Sequence, residues 1–96
     1  MEATQNPALQ MLRAAIGKTA TNSPSALTNW LRPEVRAAEA GRLTFAYTVR
    51  PEFINPVGTL HGGVTAAIMD DLIGATVFTL GLPHHYTTIS NTIDRP

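Results

Sequence analysis

The chain has no cysteine, which excludes a disulfide framework and any thiolate metal site. Its three histidines, His61, His84 and His85, are too few and too badly spaced for a zinc site, so no metal is expected. Neither sign of charge is in excess, with seven basic and seven acidic side chains. That removes the basic footprint that nucleic acid or an anionic membrane surface would need. The N-terminus lacks a basic region followed by a continuous apolar core, so it does not read as a secretory signal. Val64 to Leu82 is long and apolar, but Asp70 and Asp71 interrupt it. Each acid near the centre of a span costs roughly 2.5–3.5 kcal/mol, and flanking basic residues are absent. The run reads as the buried helix of a soluble protein with no membrane span.

What is present fits one small domain with a helical N-terminus. Asn6 can cap and Pro7 suits a first helical turn, after which Leu9, Leu12 and Ile16 share a face and Gly17 ends the helix. Thr19–Ser25 is a small-residue linker, and Ala26–Leu31 a helical turn that Pro33 closes. Trp30 is expected to anchor this segment to the core. From Glu34 the period becomes two: Leu43, Phe45, Tyr47 and Val49 alternate with Thr44, Ala46, Thr48 and Arg50. With a weaker strand over Val35–Ala40 and a turn at Ala40-Gly41-Arg42, this predicts a β-hairpin. Phe53–Leu60 reads as a loop. A helix then runs from about His61 to Leu80, with Gly81 and Pro83 as stop signals. Apolar almost all round, it is expected to be central, with Met69 and Phe78 in the core. His84-His85 reads as an exposed turn, and Tyr86–Asp94 as a further strand.

The stretch from Asn55 to Leu80 carries the chemistry. Gly62 and Gly63 fall at a helix start, where backbone N–H groups lack intrahelical acceptors and the dipole favours negative charge. Without a Cβ, a substrate oxygen can approach those N–H groups, as an oxyanion or polarised carbonyl requires. Asn55 offers an amide to orient a water or carboxylate, and Asp70 a general base or nucleophile. Asp71 points ~100° away round the helix and reads as a solvated or interface acid. Gly62 and Asp70 are eight residues apart, hence ~12 Å along one axis. They cannot serve the same reacting carbon, because productive contacts are ~3 Å. A shared site therefore needs Asp70 from a second copy of the chain, which favours a symmetric oligomer. Taken singly, the glycine pair could be a tight helix start, His61 a cap and Asn55 a turn former. The joint spacing carries the functional case.

Asn55-Pro-Val-Gly58-Thr-Leu-His61-Gly62-Gly63, followed by Asp70, resembles the active-site pattern of the PaaI-type hotdog-fold acyl-CoA thioesterases. The resemblance covers about residues 34–96. It implies an α+β hotdog fold, an antiparallel sheet wrapped around one long central helix, preceded by an N-terminal helical extension over residues 1–33. It also implies hydrolysis of acyl-CoA thioesters to free acid and CoA, in a homodimer or homotetramer and without a cofactor. By that resemblance the Gly62 N–H polarises the carbonyl, while Asn55 and His61 position the reacting groups. Asp70 of the partner subunit activates water or attacks. Gly63 and Thr88 join in substrate binding, Thr88 (or else Thr87) by holding the water. A hotdog sheet has five or six strands and about three are found here, so the chain reads as an incomplete hotdog, truncated at its C-terminus. Two other functions follow from these features: an inactive subunit or acyl-binding or interaction module, motivated by the missing strands, and a hotdog dehydratase. The compartment expected is the cytoplasm, with mitochondrion and peroxisome left open.

Overall fold

The computed structural model describes residues 6–82. Expectations for His84-His85, Thr88 and the strand over Tyr86–Asp94 lie outside the described residues. Helix α1 spans Pro7–Ala14, with Asn6 as its cap: Asn6 Oδ1 accepts from Ala8 N at 3.0 Å. It ends before Ile16, which is exposed, while Leu9 is completely buried. Helix α2 (Ala26–Leu31) starts at Ser25, whose side chain accepts from Thr28 N. Between the helices the chain, including the start of the small-residue linker, is tied to the strand that follows and to the residue before it: Ala20 N donates to Pro33 O at 2.8 Å. Gly17 N donates to Val35 O at 2.8 Å, and Thr19 forms an isolated bridge with Glu34.

Strands β1 (Glu34–Glu39) and β2 (Arg42–Ala46) form the antiparallel hairpin. The turn needs Gly41, which sits at φ +77°, a conformation that a side chain disfavours. A bulge between Val35 and Ala37 leaves Arg36 without a partner in the ladder. It brings Val35 and Ala38, three apart in sequence, to the same buried face. Strand β2 is shorter than the alternation predicts. Its first partner in β1, Glu34, already pairs with Ala46, so Tyr47–Arg50 run on with nothing opposite them in this hairpin. Pro51–Phe53 then form one 3₁₀ turn.

Helix α3 occupies Gly62–Phe78 with His61 as its cap residue. It lies against β2 and α2, and Thr79 fastens its end. Gly41 N donates to Thr79 Oγ1 at 2.7 Å, and Asn6 Nδ2 donates to Thr79 O at 2.9 Å. Gly81, at φ +65°, closes the turn against Asn6, whose Nδ2 would lie 2.9 Å from a Cβ there.

The buried core is Leu9, Leu31, Val35, Ala38 and Phe53, contributed by the N-terminal helices, the hairpin and the 3₁₀ turn. Helix α3 was expected at the centre, yet among the described residues it is covered on one side only. Met69 and Phe78, expected in the core, are 41% and 59% exposed. The reason is geometrical: an apolar helix needs cover all round, and a two-stranded hairpin with a short helix covers one flank. Between β2 and α3 an apolar groove of about 390 Å³ remains open, lined by Leu43, Leu72, Ile73 and Leu80 among others. Trp30 is also more exposed than expected. It does anchor its segment, with its ring 5.1 Å from that of buried Phe53 and Arg50 stacked over both. No helix among the described residues is long and apolar enough to cross a membrane.

Candidate active site

Phe53 is the foundation of the loop that leads into α3. Fully buried beneath Trp30, it accepts a hydrogen bond from His61 N at its carbonyl, 2.8 Å long. The bridge between Ile54 and Leu60 closes the intervening loop into a compact excursion. Asn55 builds its interior. Its Oδ1 accepts from Val57 N (3.1 Å) and Thr59 N (3.0 Å), and its Nδ2 donates to Thr59 Oγ1 at 2.8 Å. An asparagine folding its side chain over its own downstream backbone is the local reason this loop has one shape. One Nδ2 proton has no partner in that network.

The loop delivers His61 and the glycine pair to the helix start. His61 O accepts from Thr65 N at 3.0 Å, which makes Thr65 the first residue bonded in helical fashion. The N–H groups of Gly62, Gly63 and Val64 precede it and face the helix dipole's positive end. The His61 ring makes no capping hydrogen bond and is exposed. A Cβ built on Gly62 or Gly63 meets nothing within 4 Å. Among the described residues, then, packing gives no reason for glycine at either position, and both helix conformations are open to other residues. Both glycines are exposed, so the backbone at the helix start is open to approach.

Asp70 lies two turns further along. It is half-buried, and among the described residues its carboxylate has no hydrogen-bond or ion-pair partner. Eight residues separate it from Gly62, about 12 Å along the axis and about 80° round it. The single chain therefore does not bring the two together.

Asp71 overturns its expectation as a solvated or interface acid. It is the one residue of α3 that is buried, at 9% exposure. Its Oδ1 accepts from the Thr28 hydroxyl, and its Oδ2 from Tyr47 OH at 3.1 Å. Burial is tolerated because two hydroxyl donors replace water at the carboxylate. The consequence for Tyr47 is a phenol pushed well above its ordinary value of 10, first by desolvation and then by the Asp71 charge and hydrogen bond. Sequence reasoning missed Thr28, Tyr47 and Phe53 as parts of this architecture. A signal existed for one pair: an acid within an apolar helix requires a donor, and Tyr47 closes the inward row of β2.

Residues 57–94 match the family model described as Thioesterase superfamily, a stretch that contains the glycine pair and both acids. No curated protein and no solved structure matches the chain. A hotdog fold goes with that family, and the described residues show part of one: a long helix laid against an antiparallel hairpin.

Proposed function

We propose, on the match of residues 57–94 to the thioesterase superfamily model, that the protein hydrolyses acyl-CoA thioesters to a free acid and CoA. Residues 34–96 form the hydrolase portion, and 1–33 its helical extension. The observation that carries this reading is the start of α3: an exposed glycine pair with open space at its Cβ positions, on the helix that also bears Asp70, a carboxylate with no partner among the described residues. The Gly62 N–H donates to the thioester carbonyl oxygen and stabilises the oxyanion as the carbon becomes tetrahedral. Gly63 leaves room for the acyl-CoA beside it. His61 and Asn55 shape the approach, Asn55 chiefly by holding the loop and with one N–H free for substrate. Thr88 holds the water.

Asp70 comes from the partner subunit, because its own Gly62 is too far along the helix to share a carbon with it. As a base it takes a proton from water while the water oxygen bonds to the carbonyl carbon. The C–S bond then breaks, and the CoA thiolate takes up the proton. As a nucleophile it bonds to the carbonyl carbon itself, releases CoA, and leaves an anhydride for water to open. Hydrolysis in ¹⁸O-labelled water under single-turnover conditions separates the two, since only the nucleophilic path can place the label in Asp70. The symmetric arrangement yields two sites per dimer.

The direct assay is release of free CoA from benzoyl-CoA and octanoyl-CoA by the purified chain. Asp70→Ala is expected to abolish release while leaving the circular dichroism spectrum intact. Turnover at the wild-type rate in that variant would sink the role given to Asp70.

A further inference from the structure

Helix α3 has no apolar stripe to set its rotation about its own axis. Apolar side chains surround it, several exposed: Met69, Ile73 and Phe78. Hydrophobic burial alone is nearly indifferent to how such a helix is rolled. Its one buried residue is Asp71, held by Thr28 from α2 on one oxygen and by Tyr47, just past β2, on the other. Two donors from separate elements converge on one carboxylate and fix a direction, which a single hydrogen bond would not.

The geometry points to Thr28 and Tyr47 as positioning residues for the site: through Asp71 they set the roll of α3, and with it the presentation of Asp70 and the Gly62 N–H. The lever is short and stiff. Asp70 is the next residue, ~100° round the same backbone, and a side chain's outer atoms lie about 5–6 Å from the axis. A roll of about 10° therefore moves the Asp70 carboxylate by about 1 Å, a displacement worth about 100-fold in rate at a reacting centre. At the far end Thr79, also buried, is held by Gly41 N and Asn6, so the helix resists sliding while Asp71 resists rolling. The N-terminal extension thus takes part in the site without touching substrate. The catalytic consequence rests on the thioesterase reading above, whereas the roll does not.

The experiment compares Thr28→Val, Thr28→Ser and Tyr47→Phe with the wild-type chain by ¹H–¹⁵N NMR and by turnover of benzoyl-CoA and octanoyl-CoA. A roll of the whole helix moves the amide resonances of Gly62 and Gly63, about 12 Å from the altered contact, together with that of Asp70. Thr28→Ser, which keeps the hydroxyl, returns them to wild-type positions. Tyr47→Phe gives the same pattern and decides the matter if Thr28→Val does not fold. Shifts confined to the turn around Asp71, with Gly62 and Gly63 unmoved, would overturn the proposal. In turnover, kcat falls 10- to 100-fold with KM within twofold, and Thr28→Ser restores it. Wild-type kcat in a variant whose helix has rolled overturns the positioning role. A wild-type chain that releases no CoA contradicts the thioesterase reading alone and leaves the NMR comparison to decide the roll.

Discussion

Asp70 and Asp71 are adjacent, chemically identical and placed in opposite circumstances. Asp71 is buried with two hydroxyl donors, and Asp70 is half-buried with none among the described residues. Asp71→Ala is therefore expected to destabilise the fold by about 1.5–3 kcal/mol, the range for hydrogen bonds to a charged group, measured by urea unfolding. Asp70→Ala should change the unfolding free energy by no more than about 0.5 kcal/mol, because among the described residues its carboxylate has no hydrogen bond to lose. The pair also predicts a pH dependence. Tyr47 holds its proton more tightly folded than unfolded, so its contribution to stability is complete below pH 10 and declines as pH rises above it. The wild-type chain should lose stability above pH 10 more steeply than Tyr47→Phe. Equal slopes would show that the phenol is not held against Asp71. At the helix start, Gly62→Pro is a clean deletion of one N–H. Proline suits a first helical position, and His61 already has the extended ψ of 134° that precedes a proline comfortably. Nothing lies within 4 Å of the Cβ position. Melting should be nearly unchanged while kcat falls by about 10²–10³, the scale of losing one oxyanion donor.

The elements were legible where a period or a cap declared them. Asn6-Pro7 marks α1, the alternation from Leu43 marks β2, and the run to Gly81 marks α3. The first strand was faint because its bulge at Arg36 breaks the period of two, and Val35 and Ala38 then look unrelated although they share a face. Phe53 escaped notice because a lone aromatic between Pro51 and Pro56 reads as loop, and only the fold brings Trp30 and Arg50 over it. The Asp71 clasp was hidden for the same physical reason. Its donors lie 43 and 24 residues away in sequence, and no local spacing reports them. Asn6 shows one side chain joining two elements, since its Oδ1 caps α1 and its Nδ2 donates to Phe78 O and Thr79 O at the end of α3. Asn6→Asp keeps the acceptor but sets a carboxylate against those carbonyls. It should destabilise by at least the ~1 kcal/mol that losing a cap costs, seen as a lowered urea midpoint. A midpoint at or above wild type would mean that the contact with α3 contributes nothing.

For the molecule as a whole, the described residues form part of a hotdog whose helix keeps one flank uncovered, and the proposed site is divided along that helix. Gly62 and Asp70 of one chain are about 12 Å apart by rise alone. In the proposed mechanism each site therefore takes its N–H from one subunit and its carboxylate from the other. Co-refolding equal amounts of Gly62→Pro and Asp70→Ala tests this directly. Asp70→Ala alone should release no CoA from the acyl-CoA probes, and Gly62→Pro alone no more than about a hundredth of the wild-type rate. Random pairing makes about half the dimers mixed, each with one of its two sites intact, so the mixture should recover about a quarter of wild-type activity. A mixture that forms mixed dimers, verified by mass, and stays as inactive as its parents would contradict the account.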